Sequence, residues 1–179
     1  MAFRTGWKRR VTGVSRFRKK AIWVNVPFGN VAFTEAVGNQ VLVVPEDWEA
    51  QFGGNANETC SLRAIVGELN WVQTVVGTAG GNAFWGIYIS DKDATVVPTF
   101  AVAGMADVDW LRTGARSTTA SVTASVLQST VLGVQPIMIK ARRKLKSRDS
   151  IYIAAQFGAD AASPAGVLGG LLRFLIARD

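Results

Sequence analysis

Short apolar runs with alternating side chains, each closed by turn-forming residues, are the feature that most constrains the fold of this chain. From Ile151 to Phe157 every second residue is apolar, which is the two-residue period of a strand. Valine and threonine favour pleated sheets because they are stiff at χ1, and they number 22 and 13 among the 179 residues. Glycine pairs and Asn/Asp clusters separate the runs. The sequence therefore predicts an all-β chain.

Eight runs are expected to be strands: Ala21–Val26, Val41–Val44, Thr59–Val76, Phe84–Ile89, Val122–Val134, Ile137–Arg142, Ser150–Phe157 and Leu171–Arg178. Pro45–Phe52 has Pro and acids at its start and Gly53 after its end, which predicts one or two helical turns. Met105–Arg112 is expected to be a short helix or an irregular crossing. The long connection from Ile89 to Val122 favours a Greek key over a meander.

Two details of these strands are also predicted. The apolar phase of Thr59–Val76 changes near Val66–Gly67, which indicates a bulge or bend at the glycine. Phe84–Ile89 is apolar on both faces, as expected of a strand buried on both sides. Together the runs favour an eight-stranded jelly-roll sandwich with short helical insertions, and a closed up-and-down barrel is the structural alternative.

Positive charge is concentrated in the first 20 residues. The bases there are Arg4, Lys8, Arg9, Arg10, Arg16, Arg18, Lys19 and Lys20. No acid accompanies them, whereas residues 21–179 hold 12 bases against 13 acids. Like charges this dense repel one another and form no core. We therefore predict two parts, a basic N-terminal arm over residues 1–20 and a β domain over residues 21–179.

The composition of the arm predicts binding to nucleic acid. Twenty extended residues reach about 65–70 Å, which is long enough to follow a phosphate backbone through counterion release. Phe3, Trp7 and Phe17 lie among these basic residues and could stack on unpaired nucleobases of a single strand. The alternatives are a solubilising tail or a nuclear-import signal, since residues 8–10 and 16–20 are short basic clusters.

A second basic cluster lies near the end of the chain. Its members are Lys140, Arg142, Arg143, Lys144, Lys146 and Arg148. Five of the six have even numbers, so an extended run would project them to one side until a turn near residues 146–149. We predict a second phosphate-binding surface on the side where the arm emerges. The alternative is a solvated edge strand whose charges prevent pairing.

Residues outside the arm and this cluster hold six bases against 13 acids. The sequence therefore predicts a polarised protein with one basic side and one mildly acidic side. The i, i+2 acid pairs, Asp91 with Asp93 and Asp107 with Asp109, are interpreted as turn chemistry rather than as Ca²⁺ ligands. No metal and no cofactor is predicted.

Composition also narrows the class of function. The chain has no His and one Cys, which removes His-based acid–base chemistry, catalytic triads and disulfide frameworks. No enzyme activity is therefore predicted. Apolar residues make up 49% and charged residues 18%, so large surfaces are expected to be covered by further copies of the chain; a monomer with a large core is the alternative. No apolar run reaches the ~18 residues of a membrane span.

The basic arm that leads into a β body, and the basic run from Lys140 that leads into an alternating strand, resemble the single jelly-roll capsid proteins of small icosahedral viruses. The likeness is greatest to those of small circular single-stranded DNA viruses, although RNA viruses use the same design. The resemblance implies eight strands in two facing sheets, many copies in a closed shell, and an arm turned inward onto the genome. It also implies a virion protein that is assembled in the host cell, with the nucleus as one candidate compartment.

A different class of function remains open at this point. A cellular β-barrel that binds single-stranded nucleic acid would share the basic arm. It would form a discrete complex of few copies and expose aromatic side chains in a groove of its body. The near-neutral body argues against this class, because such modules carry bases on the fold itself. An enzyme or a sugar-binding jelly roll would leave the arm unexplained.

Overall fold

The computed structural model describes residues 21–44, 60–75, 81–91, 98, 100, 108–118, 130–158 and 164–178. These residues form eight strands: β1 (Ala21–Phe33), β2 (Gly38–Val43), β3 (Cys60–Val75), β4 (Asn82–Asp91), β5 (Asp109–Ser117), β6 (Thr130–Leu145), β7 (Asp149–Phe157) and β8 (Ala165–Arg178). The described ranges contain no helix, and so no helix among them could span a membrane. The arm, the predicted helical turns at residues 45–52 and residues 105–107 lie outside these ranges.

The strands form two four-stranded antiparallel sheets. Sheet A has the order β1-β8-β3-β6, and sheet B has the order β2-β7-β4-β5. The chain changes sheet at every connection except the one between β4 and β5. This arrangement is a jelly-roll sandwich, which confirms the predicted fold class.

The core lies between the two sheets. Sheet A contributes Leu62, Ile65 and Phe174, and sheet B contributes Ile87 and Ile153, all fully buried. Over most of their length β3 and β8 bury alternate residues because successive side chains of a strand point to opposite faces. Burial of large side chains of this kind is the main stabilising contribution to the sandwich.

The central strand β4 is buried on its second face as well, as its sequence predicts. Tyr88 lies on the outer face of sheet B and is fully buried. Its ring stacks on Tyr152 with ring centroids 5.3 Å apart. Trp110 packs beside Tyr88 at 5.3 Å, and Phe100 packs on Trp110 at 5.2 Å. Residues of the β4–β5 connection therefore cover this face.

Two strands are longer than predicted because each continues through a proline. The first strand continues through Pro27 to Phe33, and β6 continues through Pro136. Proline lacks the N–H that a ladder needs and is tolerated where one side of a strand has no partner. Both β1 and β6 are edge strands of sheet A. Of the predicted Val122–Val134 strand, the described part joins the start of β6.

The expectation of a helix or irregular crossing is wrong for residues 109–112, which begin strand β5. This strand has a weak apolar pattern because it lies at the edge of sheet B. Its Gly114 faces the Trp85 ring, where a Cβ atom would approach within 2.7 Å of Nε1. Tertiary packing of this kind overrides a weak local propensity.

The predicted phase change in the third strand occurs at a different residue. The buried series shifts between Leu62 and Ala64, where the register with β8 slips by one residue, and not at Gly67. The glycine has another role: its φ is +150°, and a Cβ atom there would lie 2.0 Å from the Leu171 carbonyl oxygen. Gly67 therefore permits a close approach of β3 to β8.

Candidate nucleic-acid interface

The attachment point of the arm and the second basic cluster lie at the same end of the sandwich. Ala21, the first residue of β1, pairs with Ala177; Ala177 also pairs with Ser61, and Ser61 pairs with Lys144. These four residues form one row across sheet A. Three strand spacings separate its ends, which is about 14 Å. We call this end of the molecule the basic end.

The predicted turn near residues 146–149 is confirmed. The backbone N–H of Asp149 donates to the carbonyl oxygen of Lys146 at 3.0 Å. The N–H of Lys146 donates in return to Oδ2 of Asp149 at 2.8 Å. An aspartate that closes its own turn in this way is typical turn chemistry. The turn places Lys146 and Arg148 at the tip of the β6–β7 hairpin.

Two bases of the cluster have carboxylate partners from sheet B. Arg143 forms an ion pair with Asp109 at the start of β5. Nε of Arg148 lies 3.2 Å from Oδ2 of Asp91 at the end of β4. All four side chains are partly exposed, and pairs of this kind contribute about 0–1 kcal/mol each. These arginines are already partly neutralised before any polyanion binds.

The other four bases have no acidic partner among the residues that the structure describes. Lys140, Arg142 and Lys144 are exposed on the outer face of sheet A, and Lys146 is exposed at the hairpin tip. The predicted one-sided projection holds for the three strand residues and ends at the turn. Such exposed, unpaired cations can contact phosphate oxygens directly.

A cleft of about 490 Å³ opens at the basic end between the ends of β4, β5, β6 and β7. The charged residues that line it are Arg142, Arg143, Lys144, Lys146, Asp91, Asp109 and Asp149. Four bases against three acids leave a small positive excess. The lining of the cleft is therefore slightly positive, and the acids moderate its potential.

The predicted separation into a basic side and an acidic side does not hold for the described residues. Asp91, Asp109 and Asp149 all lie at the basic end, where they pair with the bases or close the hairpin turn. These contacts were not predictable from the sequence because no local pattern connects Asp109 to Arg143, 34 residues away. Only the three-dimensional approach of β5 to β6 brings them together.

A second contact joins the same two edge strands at the other end of β5. Nε of Arg116 donates to the carbonyl oxygen of Leu132 at 3.1 Å. With the Arg143–Asp109 pair, this bond holds β5 of sheet B against β6 of sheet A. Arg116 is therefore structural, and we do not assign it to the interface. The described ranges contain no cluster of three or more side chains suited to hold a metal ion.

No protein-family model matches the sequence, and no curated protein is significantly similar to it. Solved structures with a similar backbone include a chain from turnip yellow mosaic virus, with 11% identity, 87% of this chain and 94% of that chain covered, and a TM-score of 0.27. The alignment with a chain of the native virion of Kashmir bee virus at acidic pH has 12% identity and a TM-score of 0.32, and it covers 99% of this chain and 84% of that chain. The alignment with a chain of infectious bursal disease virus strain Gx has 14% identity and a TM-score of 0.27, and it covers 89% of this chain and 32% of that chain. Likeness at this level carries no argument about function, so the fold assignment rests on the strand order of sheets A and B.

Proposed function

We propose that this chain is a non-enzymatic, shell-forming capsid subunit that packages nucleic acid through residues 1–20. One observation carries the proposal: the register of sheet A puts the attachment point of the arm in the same row as Lys144, beside the hairpin tip. A polyanion held by the arm therefore meets further cations on the body. Residues 21–179 act as the jelly-roll domain in this proposal.

The fold is compatible with this function but does not by itself select it. Jelly rolls occur in viral capsids, lectins and cupins, and function resides in the site rather than in the fold. The distribution of charge makes the distinction, because eight bases without an acid in 20 residues need a polyanion as counter-charge. A sugar-binding domain has no use for such an arm.

The proposed mechanism couples assembly to charge neutralisation. Copies of the body meet through uncharged surfaces, while the arms and the basic ends release counterions as they bind phosphates. The arms would face inward, and the protein would reside in virions formed in the host cell, with the nucleus as one candidate compartment. The packaged genome would be single-stranded DNA or RNA; the three viruses named above do not single out circular single-stranded DNA viruses.

One observation favours the alternative, a cellular module that binds single-stranded nucleic acid. Trp23 is 42% exposed on the body, and such a module is expected to expose aromatic side chains. The two functions differ in the size of the product, because a module forms a complex of few copies whereas a capsid subunit forms closed shells of uniform size.

The test is to mix the purified full-length chain with single-stranded DNA or RNA of equal length, at moderate salt. Negative-stain microscopy and analytical ultracentrifugation then measure the products. We expect uniform closed particles whose absorbance at 260 nm reports bound nucleic acid. A protein that stays monomeric at high concentration with nucleic acid present would refute the proposal.

A variant in which all eight arm bases are replaced by glutamine tests the role of the arm and keeps its length. We expect this variant to retain the fold by circular dichroism and to package much less nucleic acid. Wild-type nucleic-acid content in the variant would contradict the proposed packaging mechanism.

A further inference from the structure

The outer face of sheet A exposes apolar side chains to an unusual extent. Registers across the four strands place Trp23, Leu175, Ala64 and Lys140 in one row, and Asn25, Arg173, Val66 and Met138 in the next. Trp23 is 42% exposed and Met138 is 78% exposed. Leu171, one row further on, is 45% exposed. Exposed apolar side chains that gather on one face of a sheet favour an interaction surface there.

The same face is basic. Lys140, Arg142, Lys144 and Arg173 are exposed on it, and Glu68 is the acid that accompanies them. No carboxylate among the described residues forms an ion pair with any of these four bases. The face therefore combines exposed apolar side chains with an excess of positive charge.

The positive charge of this face favours a polyanion as its occupant over a second copy of the chain. A two-fold contact would press this face against itself and bring the basic side chains of one copy close to those of the other, and like charges juxtaposed at an interface are unfavourable. A strand of nucleic acid supplies phosphates that pair with the basic side chains. Its nucleobases supply π-faces that pack on the apolar side chains. The basic arm also favours nucleic acid as the occupant, because it ends at Lys20, three residues before Trp23.

Trp23 is held in place on this face by a neighbouring cation. The guanidinium carbon of Arg173 lies 5.0 Å from the centroid of the indole ring, which is within the range of a cation–π contact. The guanidinium covers one side of the ring and restricts its orientation. Indole and guanidinium planes are both surfaces on which unpaired bases stack.

We infer that the outer face of sheet A is a stacking platform for unpaired bases of single-stranded nucleic acid, with Trp23 and Arg173 at its centre. This inference rests on the proposed packaging function and adds a base-contacting site to the phosphate contacts of the arm. The site recognises the π-faces of bases and so tolerates any sequence. Double-stranded nucleic acid, whose bases are already stacked on each other, would gain nothing from it.

The experiment compares two labelled probes by fluorescence anisotropy with the full-length protein. One is a 20-nucleotide oligothymidylate, and the other is an abasic oligomer with the same phosphodiester backbone. Trp23→Leu removes the aromatic ring and keeps apolar area. We expect this change to weaken binding of oligothymidylate by about 5- to 150-fold, the range for loss of one base stack, and to leave binding of the abasic oligomer unchanged.

Arg173→Gln has a matched control in Arg112→Gln, which removes one exposed charge from sheet B. We expect Arg173→Gln to weaken oligothymidylate more than the abasic oligomer, and Arg112→Gln to affect both probes equally and slightly. Trp23→Phe keeps an aromatic ring and is expected to restore most of the affinity lost in Trp23→Leu. Thermal melts by circular dichroism check that each variant folds.

Three results would overturn the inference: equal losses for both probes in Trp23→Leu, no loss for either probe, or a loss of particles with unchanged oligothymidylate affinity. The last result would make the face a contact between subunits. If the wild-type protein forms no shells but passes the two-probe test, the stacking platform stands and the proposed capsid function fails.

Discussion

Replacement of Lys144 and Lys146 by glutamine tests whether the basic end of the body contributes to binding beyond the arm. Both side chains are exposed, and neither has an acidic partner among the described residues. Their loss should therefore remove two phosphate contacts without exposing an unpaired acid. Neither substitution touches the core, so we expect the fold to be unchanged.

The magnitude follows from counterion release. Each phosphate contact to a single strand adds about 0.7 to the slope of log K against log salt concentration. Two lost contacts should lower that slope by about 1.4. Extrapolated from 1 M to 0.1 M salt, this corresponds to binding that is weaker by about 25-fold. We expect the eight basic residues of the arm to account for most of the remaining slope.

The assay is fluorescence anisotropy of a labelled single-stranded oligonucleotide, titrated with the full-length protein at several salt concentrations. The matched control replaces the neighbouring Arg143–Asp109 ion pair by glutamine and asparagine, which leaves the net charge unchanged. We expect the control to keep the wild-type slope. A wild-type slope in the lysine variant, or an equal change in the control, would refute the assignment of contacts at the basic end.

Two further predictions concern stability. Gly67→Ala should lower the free energy of unfolding by about 2–5 kcal/mol in urea denaturation, because its Cβ would lie 2.0 Å from the Leu171 carbonyl oxygen at a φ of +150°. The control is Gly29→Ala, whose Cβ would have no atom within 4 Å. Similar losses in both variants would contradict this explanation. Burial raises the pKa of the Tyr88 phenol above 10.0, although the hydrogen bond from Asn39 opposes the shift. Because the folded state favours the neutral phenol, the contribution of Tyr88 to the free energy of unfolding should be fully present below pH 10.0 and be lost as pH rises further. Tyr88→Phe should lose less stability above that pH than the wild type, and an equal loss would show that another group is responsible.

The fold class could be predicted from sequence because the alternation of side chains is a local property of each strand. Ser150–Phe157 shows this directly, since its apolar residues repeat with the period of a pleated strand and it forms most of β7. Edge strands could not be predicted as well. In β5 the side chains are only partly buried, so its sequence carries little of the pattern that burial imposes.

The candidate site was predictable in part for the same reason. A run of bases is visible in the sequence, and the turn at Lys146–Asp149 follows from turn chemistry. The acids that neutralise Arg143 and Arg148 were not predictable, because they come from strands that approach the cluster only in the folded sandwich. The exposed position of Trp23 was equally hidden, since tryptophan is more often buried than exposed.

The pairing of Ala21 with Ala177 has a consequence for the attachment of foreign sequences. The pair puts the start of β1 beside the end of β8, so a guest fused behind β8 would be attached at the same end of the body as the arm. The turn between β1 and β2, where the N–H of Ala36 donates to Oγ1 of Thr34 at 3.0 Å, lies at the opposite end of the strands. A peptide inserted there would be attached at the far end of the body from the arm, so in the proposed shell one chain would offer separate positions for cargo and for display.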